Sequence, residues 1–140
     1  MKNLASILVG VAMLAQAAGG AGAAVPLQVN SQGYVEVNGA PFNGNGLFRF
    51  TLANRDTSVT LWCNDGSRVG QPANSTPTAA VTLPVVGGIF NVRLGDTVYP
   101  NMTALPATVF DSDRVVVRTW FDDGSHTFLS LSYVGSLGAQ

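Results

Sequence analysis

The stretch "LFRFTLA", residues 47–53, decides the class of fold. Its apolar positions alternate: Phe48, Phe50 and Leu52 fall on one side of an extended chain, Arg49 and Thr51 on the other. A period of two is that of a half-buried β-strand, because successive side chains point to opposite faces of a sheet. One dry face and one wet face are expected. Working outward, the same pattern recurs between turn residues. "YVEV" (34–37) runs into Asn38-Gly39, "SVTLWC" (58–63) is a further strand, and "AAVTLPVV" (79–86) contains Pro84. Proline cannot donate to a ladder, so that strand belongs on an edge or at a bulge. "IFNVRL" (89–94) directs Phe90, Val92 and Leu94 inward, and "RVVVRTWF" (114–121) is expected to pair with "HTFLSLSYV" (126–134). Only Met102 to Phe110 suggests a short helical turn, laying Met102, Leu105, Val109 and Phe110 across the end of the sheets. The expected fold is all-β, a two-sheet antiparallel β-sandwich of about seven strands rather than a barrel.

The first residues read differently. "MKN" supplies one positive charge, "LASILVGVAMLAQAA" (4–18) is apolar, and Ala21-Gly22-Ala23 fits the small-x-small rule for signal peptidase. Residues 1–23 are therefore expected to be a signal peptide and 24–140 a single domain, with cleavage after Ala23 or Ala24. The run is too diluted by Gly and Ala for a retained anchor, which wants about 20 strongly apolar residues. No membrane span is expected after cleavage, and the localisation implied is secreted or envelope-associated. A domain of about 116 residues is large enough to bury a core without a staple, which matters because Cys63 is the only cysteine.

Loss of the leader removes Lys2, the only lysine, and leaves six arginines against eight acids. Six scattered cations do not make the basic stripe that nucleic acid requires. Catalytic spacings are also missing: there is no G-x-S-x-G elbow, no His-rich metal spacing, and His126 is the only histidine. Asp122 and Asp123 are sequence neighbours that point apart, unlike a glycosidase pair. A Cys63 and His126 pair is conceivable because both lie beside the two Asp-Gly echoes, and ordinary packing at strand ends explains both better. The reading is of a protein that is not an enzyme and implies no cofactor.

"LWCNDGSR" (61–68) is echoed by "TWFDDGSH" (119–126). Asp-Gly can fill the centre of a type I′ hairpin turn, where both residues need positive φ. Asp123 and Gly124, flanked by alternating residues, are expected to do so; Asp65 and Gly66 enter the polar loop 64–78, and a looser turn is equally consistent there. A calcium site from Asp65, Asp111, Asp113, Asp122 and Asp123 is the competing reading, but the EF-hand spacing and its closing glutamate are absent. No metal ligand is assigned. Trp62, Trp120, Phe121 and Tyr133, with Phe128, would form a sugar-binding platform if exposed and core if buried. The echoes are too short and irregular for a repeat protein.

"GAPFNGNGLFRFTLAN", "LWCNDGS", "AAVTLPVVGGIFNVRLGDTVYPNMTALPATVF" and "VVVRTWFDDGSHTFLSL" together resemble an uncharacterised bacterial secreted module found at the N-terminus of long envelope or extracellular proteins. Its pattern runs G-x-G-x-F-x-F, W-S-N-D-G, L-G-D, N-M, R-x-W-F-x-D-G, and the resemblance covers residues 33–131, leaving a divergent tail at 132–140. Cys63 stands where that module tends to have Ser, and the chain lacks the continuation L-S-P-D-Q-R-I-A. The resemblance implies a folded β unit and carries no catalytic residue. Three functions follow as expectations: a structural or interaction module of the cell surface or extracellular space, with an unknown protein or glycan partner; a carbohydrate-binding module using exposed aromatics; or the N-terminal piece of a longer surface protein.

Overall fold

A computed structural model of the chain describes residues 27–112, 114–125 and 128–131. The expected leader and its cleavage site, Asp113, His126, Tyr133 and the tail 132–140 lie outside the described residues. The described residues form nine strands: β1 (Val29–Tyr34), β2 (Glu36–Val37), β3 (Ala40–Pro41), β4 (Gly44–Asn54), β5 (Val59–Cys63), β6 (Val81–Val85), β7 (Ile89–Leu94), β8 (Val115–Asp122) and β9 (Leu129–Leu131), with a 3-10 turn over Ala107–Asp111. Among the described residues no helix is long and apolar enough to cross a membrane.

The strand that contains "LFRFTLA" organises the molecule. β4 pairs along one side with β8, from Leu47 opposite Asp122 to Asn54 opposite Val115. Its other side is shared end to end by two strands, β6 against Gly44–Phe48 and β5 against Thr51–Asn54. β9 adds to the outside of β8, and β1 pairs with β7 in a second antiparallel sheet. Phe48, Phe50 and Leu52 of β4 meet Phe90, Val92 and Leu94 of β7 in one core, closed at the end by Met102, Leu105 and Val109. These are the inward residues that the alternation named; the short turn is confined to Ala107–Asp111, with Met102 and Leu105 in the irregular chain before it. Pro84 sits exposed on β6, which among the described residues has β4 as its only strand partner. Edge placement leaves its missing donor without cost.

Three expectations are corrected. The strand count rises from about seven to nine. β1, "VNSQGY", escaped notice because its inward residues are Val29, Ser31 and Gly33, only one of them strongly apolar. Secondly, the wet face of β4 is largely covered: Thr51 and Ala53 are fully buried. The loop after β5 folds back as an irregular extra strand, with Gly70 N–H donating to Thr60 C=O, Thr60 N–H to Gln71 C=O and Ala73 N–H to Ser58 C=O. Ala73 then packs on Ala53 and Val116. Thirdly, the type I′ geometry belongs to another dipeptide. Asn38 (φ 54°) and Gly39 (φ 79°) join β2 to β3, whereas neither Asp65 nor Asp123 has positive φ. A two-residue loop at Asp123-Gly124 would set Phe121 opposite residue 126; the observed register sets it opposite Leu129. β8 and β9 do form a hairpin, but with a longer connection and a shifted register.

Candidate functional site

The two echoes build the same local unit. In each, an Asp side chain accepts from the N–H of the Ser two residues on, at 3.0 Å for Asp65 and Ser67 and 3.0 Å for Asp123 and Ser125. The intervening glycine takes positive φ, 77° at Gly66 and 107° at Gly124. This is the Asx-turn habit of aspartate, which competes with the hairpin geometry of Asp-Gly. Asp65 lies in a turn and Gly66 and Gly124 at bends, none of them in the type I′ geometry expected.

What differs is the residue before the Asp. Asn64 is fully buried at the point where β5 leaves the sheet. Its N–H donates to Phe50 C=O at 3.0 Å, as the next rung of the β4–β5 ladder requires. The reciprocal rung is made by the side chain: Oδ1 accepts from Phe50 N–H at 3.0 Å, while the main-chain carbonyl turns away to accept from Thr103 N–H at 2.6 Å. The amide Nδ2 donates to Ala79 C=O at 2.9 Å and to Asn101 C=O at 3.1 Å. Asn64 therefore fills the gap between β5 and β6 along β4 with every donor and acceptor used. A buried, fully satisfied polar group of this kind rigidifies a unique arrangement. Its sequence signal, Asn before Asp-Gly, reads only as a turn.

Asp65 ties down the loop that follows. Its carboxylate accepts from Ser67 N–H and Oγ, from Cys63 Sγ at 3.3 Å and from Ala79 N–H at 2.7 Å. Burial pushes this carboxyl up, but the hydrogen bonds outweigh it and hold the pKa at about 2. The Cys63 thiol is raised chiefly by burial, with Arg68 N–H pulling the other way and the Asp65 carboxylate adding to the rise. A buried thiol held protonated is a poor nucleophile.

Trp62, Trp120 and Phe121 are not on a platform. Trp62 is buried in the core with Nε1 donating to Ala104 C=O at 3.1 Å, Phe121 lies against Phe42 and Phe48, and Trp120 is buried on the opposite face of the sheet. None of the three presents a ring to solvent, because their large apolar area is consumed in closing the two faces. Asp122 is buried as well, its Oδ1 accepting from Gly124 N–H at 2.9 Å. Among the described residues no three His, Cys, Asp or Glu side chains come close enough together to hold a metal ion.

One group of side chains lies outside these motifs. Arg49, Thr51, Arg118, Trp120 and Asp122 line the face of β4 and β8 that looks away from the core, with Cys63 beside Thr51 on β5. Arg49 stacks on Phe128, its guanidinium carbon 3.7 Å from the ring centroid. Sequence reasoning treated Arg49 and Thr51 as solvated and so passed over them.

The geometry defines an all-β sandwich whose most distinctive motif residues serve its own architecture. The chain belongs to a family described as a domain of unknown function, DUF8740, whose profile matches residues 30–132. That span coincides with the strands, from β1 to β9. No curated protein and no solved structure matches the chain.

Proposed function

We propose that the protein is exported and acts as a folded β module of the cell surface or extracellular space, working by contact rather than by catalysis. The observation that carries this reading is how the polar groups of "WCNDGS" are used. Asn64, Asp65 and Cys63 are the residues with the chemistry to act, and their hydrogen bonds are made within the fold, to Phe50, Ala79, Asn101 and Arg68. The charged start, apolar run and Ala-Gly-Ala of residues 1–23 support export. Burial of Trp62, Trp120 and Phe121 favours a structural or interaction role over sugar stacking by those rings. Expression of the full chain in a bacterial host, followed by N-terminal sequencing of the exported form, tests the reading. A mature protein beginning at Ala24 or Val25 is expected; a product held in the membrane with Met1 intact refutes export.

A further inference from the structure

The outward face of the main sheet carries more than a structural role explains. Successive rungs of β4 and β8 present Leu47 opposite Asp122, Arg49 opposite Trp120, Thr51 opposite Arg118 and Ala53 opposite Val116. Cross-strand partners share a face, so Arg49 and Arg118 are diagonal neighbours, close enough for two long side chains to meet one small group. Ion pairs among the described residues join Arg93 to Asp96 and Arg114 to Asp56, and neither includes an arginine of this face. Nε of Arg49, Nε of Arg118 and Oγ1 of Thr51 are each buried with no hydrogen-bond partner, and Thr51 is wholly enclosed. The Phe128 ring fixes the plane of the Arg49 cation, yet it can accept none of the in-plane N–H groups.

Buried donors without acceptors are rare, and cationic ones are the most costly kind. Like charges on neighbouring rungs of one face also repel one another. Asp122, on the same face, is already engaged by the Gly124 N–H. An anion with two oxygens in a plane relieves both problems together, because guanidinium forks match a carboxylate in geometry as well as charge.

We infer that this face is a carboxylate-binding site in which Arg49 and Arg118 hold the two oxygens and the Thr51 hydroxyl supports them from beneath. The carboxylate is supplied by a free small acid or by a uronic-acid unit of a glycan. The proposal rests on the reading of the chain as an interaction module, but the two fail separately: an unexported protein refutes that reading, whereas this site is tested on purified protein.

The test is a titration of the purified full chain with acetate, glucuronate and trigalacturonate at fixed ionic strength, followed by tryptophan fluorescence and by melting temperature. A saturable response is expected. It should weaken tenfold or more in Arg49→Gln and in Arg118→Gln, and persist in Arg93→Gln, which removes an arginine from the other sheet. Thr51→Val deletes the orphaned hydroxyl at constant shape, so it should melt no lower than wild type while binding more weakly. Should a Gln variant unfold, Arg→Lys keeps the charge, loses the fork, and is still expected to weaken binding. Equal responses to the three probes at equal carboxylate concentration identify the free acid, and a tighter trimer identifies the glycan. No saturable response to any probe, or a response unchanged in both arginine variants, overturns the proposal.

Discussion

Replacing Asn64 tests whether a side chain stands in for the main chain in the central sheet. Asn64→Ala strips partners from three groups at once: Phe50 N–H, Ala79 C=O and Asn101 C=O. The first lies in a fully buried residue and cannot be rehydrated; the other two lie nearer the surface and recover part of their solvation. With an orphaned buried group costing about 1–3 kcal/mol, the sum is about 2–4 kcal/mol. For a denaturant slope of about 1–3 kcal/mol per molar urea, the unfolding midpoint should fall by about 1 M or more. Asn64→Asp separates hydrogen bonding from shape. It keeps an acceptor for Phe50 N–H but sets a second oxygen against two carbonyls, so the folded protein favours the protonated acid. A carboxyl whose folded pKa lies above its unfolded value stabilises the fold at low pH and loses that contribution as pH rises. Asn64→Asp should therefore be weak at neutral pH and gain on acidification. Urea curves read by far-UV circular dichroism across pH provide the assay. An Asn64→Ala midpoint equal to that of wild type, or an Asn64→Asp variant as stable as wild type at neutral pH, refutes the reasoning.

Wild type should behave in the opposite sense on acidification. The Asp65 carboxyl is held at about 2 against an ordinary 3.8, so the stability it contributes is present above the higher value and is lost as pH falls through the lower. Partial exposure screens the effect to about 1 kcal/mol, and Asp65→Asn should flatten the melting curve between those two pH values. Gly46 lies beneath two rings, where an added Cβ would stand 2.7 Å from both Phe121 and Phe48. Gly46→Ala should overpack the core and cost about 1–3 kcal/mol by chemical denaturation. Gly124→Val, at φ 107°, should cost about 1–2 kcal/mol through backbone strain alone, whereas Asp123→Asn, which keeps the acceptor for Ser125 N–H, should melt like wild type. Cys63 should react with a thiol reagent only at the rate of global unfolding, since its thiol is enclosed and kept protonated.

The alternation of "LFRFTLA" made one face of β4 legible because burial of Phe48, Phe50 and Leu52 is a periodic property of the strand itself. The other face was not legible for a physical reason. Period-two patterning reports which residues share a side, not what covers them, and Ala53 is covered by Ala73 from a loop whose own sequence is polar. β1 was hidden by the reverse effect: Ser31 and Gly33 sit inward where the pattern expects apolar residues. At the Asp-Gly pairs the dipeptide preference for type I′ competed with side-chain acceptance of nearby N–H groups, and the latter prevailed in both echoes. Only Asn38-Gly39, joining two short strands, follows the dipeptide rule.

The likeness of the two echoes stops at the turn, and that limit bears on function. In the first, Asn64 and Asp65 turn their polar atoms toward strand β4 and the start of β6, and the loop they anchor covers part of the outer face. In the second, Trp120 and Asp122 lie on that same face, beside Arg49 and Arg118. Motif residues thus shape and border a surface without furnishing its free hydrogen-bonding capacity. That capacity resides in Arg49, Arg118 and Thr51, which interrupt apolar runs and form no motif of their own. Strand positions of this kind read as solvated alternates in any sequence, so an unsatisfied set is visible only after register places β4 against β8. A sandwich that fixes its sheets by Asn64 and Asp65 can hold such a set rigid without a disulfide, and rigid placement is what a two-point carboxylate contact requires.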